Sequence, residues 1–258
     1  MARNVRNAAG RIAAAIRFLT IIPLPGNAGT GEDELAGSLL FFPFVGMMIG
    51  VVVLFMAVIL QWLLPSFVCA VLLTCLLAAC SGGLHLDGLA DTADGFFSSR
   101  PRERILEIMR DSATGVMGSI TLVFLLLIKV SCLDSLATDG MLLPAVFLMP
   151  LAGRTTIVLL MALQPYAREQ GGLATLFYSQ ISRRAALFAL AVFAIFSVCF
   201  AGVRGFAVVV ASSLLVIAFG FYCRRKIGGS TGDTLGAVCE LAEAVTALVF
   251  VLQPGGGL

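Results

Sequence analysis

Apolar positions along this chain come in long unbroken runs rather than at the spacings of a helix or strand with one wet face. Runs near Leu39–Leu64, Phe67–Gly82, Val116–Leu136, Met141–Leu163, Ala185–Ala201, Phe206–Tyr222 and Leu235–Leu252 have about the length that crosses a hydrocarbon core of ~30 Å at 1.5 Å per helical residue. The pattern predicts an all-α, polytopic transmembrane bundle of about seven spans, built as a single integral membrane domain over residues 1–258. An earlier run, Ile12 to Pro23, is shorter, is interrupted by Arg17 and ends in a proline-rich turn. It predicts an N-terminal interfacial or half-inserted helix rather than a cleavable signal peptide.

Composition agrees with the runs. Hydrophobic residues make up 59% of the chain, charged residues 12%, and the mean hydropathy is +1.02, whereas soluble domains are about half apolar and a quarter charged. The lipid bilayer is therefore the first expected partner. A net charge of +2 offers no basic surface for a nucleic acid, and none is expected as a partner. Seven cysteines lie scattered in the apolar runs without a C-x-x-C pair, which reads as buried, inert thiols.

Fourteen of the 17 basic residues fall into four clusters: Arg3, Arg6, Arg11 and Arg17; Arg100, Arg102, Arg104 and Arg110; Arg168, Arg183 and Arg184; and Arg224, Arg225 and Lys226. Seven alternating spans put all four on one side. The excess of Lys and Arg in cytoplasmic loops then predicts a cytoplasmic N-terminus and chemistry at the cytoplasmic face. Lys129 and Arg154 lie inside predicted spans, where a charge needs a partner or a wet cavity. No internal repeat is visible, which argues against repeat-built transporter folds.

The informative polar stretch is Gly82 to Gly118. Asp87, Asp91 and Asp94 stand at i, i+4 and i+7, so on a helix they share one narrow stripe. No basic residue near them in sequence neutralises them. Like charges in apolar surroundings are costly unless protons or cations are bound, and hard oxygen donors suit Mg²⁺ completed by water and substrate phosphate. Gly88 and Gly95, each following an aspartate, leave room for a nucleotide or another backbone to approach. A second helix, started by Pro101 and stopped near Gly115, is expected to carry Glu103, Glu107 and Asp111. Glu103 and Glu107 read first as a solvated face paired with Arg100, Arg104 and Arg110, and Asp111 as the better functional candidate.

His85, the only histidine, is open to three readings: metal ligand, proton shuttle, or a polar residue hydrogen-bonded at a helix start. No G-x-S-x-G elbow accompanies it, which disfavours a triad hydrolase. The last span carries Asp233, Glu240 and Glu243 along one face, after a small polar turn at Gly228–Gly232 whose amides could hold an anion. These carboxylates read as a functional site; the alternative is a helix cap plus a structural pair with Arg154 or Lys129.

The segments GGLHLDGLADTADG (82–95), RERILEIMRDSATGVMG (102–118), QPYAR (164–168) and GGSTGDTLGAVCELAE (228–243), with FLTIIPLP near Phe18 and FFPFVG near Phe41, together resemble the cobalamin synthases, or adenosylcobinamide-GDP ribazoletransferases. The resemblance covers almost the whole chain. It implies a helical enzyme of the bacterial inner membrane that joins adenosylcobinamide-GDP to alpha-ribazole or its 5'-phosphate, releases GMP and requires Mg²⁺. The D-x-x-D-G core at Asp91–Gly95 is also similar to the signature of CDP-alcohol phosphotransferases. The Ala-Arg pair that follows the glycine there is absent here, and Asp111 alone stands where two further aspartates are expected.

The resemblance leads to an assignment of Asp87, Asp91 and Asp94 to Mg²⁺ and of Asp111 or His85 to the general base. Arg102, Arg110, Asp233, Glu240 and Glu243 become candidates for substrate binding. Gln164, Tyr166 and Arg168 are candidates to line the mouth of a cavity. The competing classes are a cation- or proton-coupled transporter, which needs the carboxylates near mid-bilayer, and a lipid-forming phosphotransferase. The oligomeric state is left open between a homo-oligomer and an assembly with other cobalamin-assembly enzymes.

Overall fold

The chain is all-α, and the computed structural model describes residues 2–168 and 174–252. The side chains of Arg3 and Arg6 and the glycine tail near Gly255 lie outside the described residues. In chain order the helices are α1 (Ala2–Leu19), α2 (Glu32–Ala36), α3 (Phe42–Leu63), α4 (Ser66–Cys80), α5 (Leu84–Phe96), α6 (Arg102–Ile108), α7 (Val116–Thr138), α8 (Leu142–Leu163), α9 (Ala174–Gln180), α10 (Arg183–Ile227) and α11 (Gly232–Val251). A short 3₁₀ turn, Gly37–Phe41, leads into α3.

Among the described residues five helical stretches are long and apolar enough to cross a membrane, six when the bent pair α4 and α5 is taken as one. The sequence led to an expectation of about seven. The difference lies in α10, whose 45 residues would be about 68 Å long if straight, twice a bilayer core. Gly202 interrupts it with φ 53° and ψ −127°, and Gly205 packs back against the Ser197 carbonyl. Arg183 at its start and Ile217 toward its end share a recess beside Leu163. The two apolar runs expected at Ala185–Ala201 and Phe206–Tyr222 are thus the arms of one helical hairpin. The N-terminal run forms α1, which is not among the spanning stretches.

The spine of the bundle is α8, buried almost throughout. Small residues bring its neighbours close, as packing within a bilayer favours: a Cβ on Gly46 of α3 would lie 2.6 Å from the Pro150 carbonyl oxygen, and one on Gly153 of α8 2.7 Å from Cys239 Sγ of α11. Facing outward are Trp62 (88% exposed), Val203 (86%) and Phe221 (70%), an apolar surface of the kind water does not tolerate and lipid does. All seven cysteines are free; Cys69, Cys132, Cys223 and Cys239 are buried as expected, while Cys75 and Cys199 are exposed.

Three of the basic clusters meet at one end of the bundle. Arg102 donates to the Ala167 carbonyl (3.0 Å), Arg168 reaches the Met109 carbonyl (3.5 Å), and Lys226 caps α5 at the Phe96 carbonyl (2.7 Å). Arg11 of the fourth cluster shares a recess with Arg184.

Candidate active site

The site is built on a break. α4 stops at Cys80, and Gly82 (φ 61°) and Gly83 (φ 78°) adopt left-handed conformations that glycine takes at little cost. α5 then leaves at 89° to α4. It crosses the N-terminal turn of α11 at close range. A Cβ on Gly88 would lie 2.7 Å from the Asp233 carbonyl oxygen, and one on Gly236 3.1 Å from that of His85. The approach expected at Gly88 is therefore made by α11, and the one at Gly95 by Met109 and Ile105 of the α6 region.

This crossing sets Asp233 beside the α5 stripe. Asp87 is exposed, and Asp91 and Asp94 are half-buried. Asp91 stands in the field of Asp87, Asp233 and Asp94, with Arg168 the one opposing charge among its main influences. Asp94 has a further task that sequence reading missed. Its two oxygens accept from the amides of Gly115 (2.6 Å) and Gly118 (2.8 Å), satisfying donors that the first turn of α7 leaves free. The stripe is level with the N-terminal ends of α7 and α11, not with their middles. That depth suits a site entered from one face, not the mid-bilayer ion site of a coupled transporter.

The segment after α8 completes the wall. Ser230 donates its amide to the Pro165 carbonyl (2.9 Å), and the Ala167 amide donates to Ser230 (2.9 Å), forming a single parallel bridge. This holds Arg168 where it pairs with Asp233 at 2.7 Å. Thr231 and Thr234 cap α11 reciprocally, each side chain accepting from the other's amide, so these two amides of the polar turn are engaged within the protein. Burial raises the Tyr166 hydroxyl above its ordinary pKa, with Arg168 pulling the other way; it stays a neutral hydrogen-bonding group. Of the two arginines expected to bind substrate, Arg110 acts electrostatically on Tyr166, while Arg102 is tied to the Ala167 carbonyl.

A cavity of about 220 Å³ opens beside the stripe. Asp87, Arg168, Asp233 and Tyr166 line it along with His85, and its remaining wall is apolar, including Phe18, Ile157, Met161 and Phe177. His85 is 2% exposed and its Nδ1 has no hydrogen-bond partner. Asp111, the other candidate proton acceptor, is exposed and accepts from the Ala113 amide in its own turn (3.1 Å). It lies beyond α6, which ends at Ile108, so the expected helix carrying Glu103, Glu107 and Asp111 together is shorter than its spacing suggested. Glu107 pairs with Arg104 at 2.6 Å on the surface.

Glu240 and Glu243 are brought together with each other but not with the cavity. They are 4% and 2% exposed. Lys129 donates to both, at 2.7 Å each, and Arg154 donates to Glu243. Two acids and two bases make a closed, neutral quartet joining α7, α8 and α11. This is the structural pairing that the sequence left as an alternative.

Among the described residues no three His, Cys, Asp or Glu side chains converge as a ready-made metal cage. The donors at the stripe still fit a magnesium ion, which is held by one or two carboxylates and completes its shell with water and phosphate. Among the described residues no backbone amide donates to Asp87 or Asp91, unlike Asp94, and at Asp91 three neighbouring carboxylates act against the charge of Arg168.

A family described as cobalamin-5-phosphate synthase matches residues 11–251. A protein of Syntrophobacter fumaroxidans, named adenosylcobinamide-GDP ribazoletransferase, is 40% identical over 233 residues, 90% of this chain and 94% of the relative. A Citrobacter koseri protein of the same name is 38% identical over 242 residues, 92% of this chain and 98% of the relative. No solved structure matches. With an acidic stripe at one end of an all-α membrane bundle and a match running from α1 to the end of α11, the chain belongs to the cobalamin-5-phosphate synthase family.

Proposed function

We propose that this chain is a multi-pass inner-membrane transferase that joins adenosylcobinamide-GDP to alpha-ribazole or its 5'-phosphate and releases GMP. The observation that carries the reading is the contact of the acidic stripe with the cavity at Asp87, in a chain about 40% identical to relatives named for this reaction. The four basic clusters favour a cytoplasmic N-terminus and a cytoplasm-facing site.

The 3'-hydroxyl of the ribazole attacks the phosphorus attached to cobinamide. A new P–O bond forms, the P–O bond to GMP breaks, and the hydroxyl proton goes to the protein. His85 is the acceptor of that proton, since it is among the residues lining the cavity and its buried Nδ1 is without a partner. Arg168, held by Asp233, and Arg110 supply positive charge for the diphosphate, as arginine does through its fork of donors. Asp94 keeps the start of α7 against the stripe. Mg²⁺ held by Asp87 and Asp91 would neutralise charge growing on the leaving GMP, the main task in phosphoryl transfer.

The test is GMP release from adenosylcobinamide-GDP with alpha-ribazole, using purified protein with and without EDTA. Release that stops on chelation and returns with Mg²⁺ is expected. Release untouched by EDTA would remove the metal, and no release from the wild-type chain would remove the activity.

A further inference from the structure

The cavity beside the stripe has two unlike parts. Its charged lining is Asp87, Asp233 and Arg168, with Tyr166 and the buried His85 the other polar side chains. Its floor is Phe18, Ile157, Met161, Phe177 and Leu235, with Phe177 fully buried and Ile157, Met161 and Leu235 at 3 to 5% exposure. The Phe18 and Phe177 rings lie 4.9 Å apart, and Phe42 braces Phe177 edge-on at 5.5 Å. The floor is thus a fixed aromatic and aliphatic surface supplied by α1, α8, α9 and α11.

Size and polarity both restrict what enters. At about 220 Å³ the cavity is below the roughly 300–1,000 Å³ of a drug-sized site, so it takes one planar ring system and not a corrinoid or a whole nucleotide. The two proposed substrates bring different rings. The donor's guanine carries hydrogen-bonding groups around its whole edge, and against the apolar wall most of them would lose water without finding partners, which a site strongly disfavours. The acceptor's benzimidazole-type base is apolar apart from one open ring nitrogen.

We infer that this cavity is the acceptor subsite: it receives the apolar heterocycle of a nucleoside against Phe18 and Phe177 and leaves its ribose beside Asp87 and His85. Guanine binds elsewhere. Phe18, Ile157, Met161 and Phe177 thereby become specificity-determining residues. The inference rests on the proposed transferase reading.

Ile157→Phe and Met161→Phe, made separately in the full chain, fill the floor from α8 at neighbouring positions. Each is expected to raise KM for alpha-ribazole at least tenfold and leave KM for adenosylcobinamide-GDP within twofold, the unchanged donor KM also showing that the protein is folded. A donor KM that rises while the acceptor KM stays put would assign the cavity to guanine and overturn the proposal, as would two unchanged constants. Equilibrium binding of alpha-ribazole alone, with no donor present, separates this from the activity: binding to wild type that weakens tenfold in either variant supports the subsite even if no GMP is released, and equal or absent binding in all three proteins overturns it.

Discussion

Two groups of acids stand a few helical turns apart and have opposite fates. Glu240 and Glu243 are enclosed by α7, α8 and α11 and fully answered by Lys129 and Arg154. Asp87, Asp91 and Asp94 of α5 sit with Asp233 at the open end of the bundle, where Arg168 pairs with Asp233. A quartet that sums to zero needs nothing from outside. A group left negative beside a cavity is stable only when something positive joins it. Burial and completeness of pairing, more than the presence of a carboxylate in a span, separate a scaffold from a site.

The sharpest way to break this comparison is to neutralise one member of each group. Asp91→Asn should lower GMP release by roughly 10³-fold, in the range for loss of a preorganised charge, and should leave the melting temperature in detergent no lower than wild type. A melting temperature that falls with activity would make the stripe structural. Glu243→Ala should do the reverse, costing about 3–5 kcal/mol by leaving Arg154 buried without its counter-ion and Lys129 with Glu240 alone; chemical denaturation of the detergent-solubilised protein reads this. Removing Lys129 and Glu240 together, as Lys129→Met with Glu240→Leu, should be milder than the sum of the two single changes by about 0.5–3 kcal/mol. Strict additivity would show that the pair does not act as one unit. Asp94→Asn keeps one acceptor for the α7 amides while discarding the charge. Its stability loss should be about 1 kcal/mol, with turnover lowered less than by Asp91→Asn; a loss as large as that variant's would make Asp94 a further metal ligand. Least of all, Arg104→Ala breaks an exposed pair and should cost about 0.2–1 kcal/mol with no change in turnover.

The apolar runs announced the bundle, because length and hydropathy are local properties, and the i, i+4, i+7 spacing announced the stripe for the same reason. What was hidden depends on distant chain segments. Nothing near Asp94 in sequence says that its oxygens meet amides 21 and 24 residues on. The pairing of Arg168 with Asp233 follows from a single bridge between residues 166 and 230, too short to leave a strand pattern. Phe18, Ile157, Met161 and Phe177 were illegible as a binding surface, since an apolar side chain in an apolar run looks the same whether it faces lipid, core or ligand. The hairpin at Gly202 was legible as two runs, and only the backbone there reveals that the helix reverses without a loop.

The quartet also imposes an order on biosynthesis. Lys129 on α7 is made 111 residues before its partner Glu240, a delay of roughly 5–20 s at about 5–20 residues per second. During that interval the nascent chain holds a cation in a segment destined for the bilayer with no counter-ion yet translated. Arrival of α11 discharges that state and, through Asp233 at its other end, completes the wall of the cavity in the same event. A chain that ends before α11 therefore lacks Asp233 and holds Lys129 and Arg154 without their counter-ions.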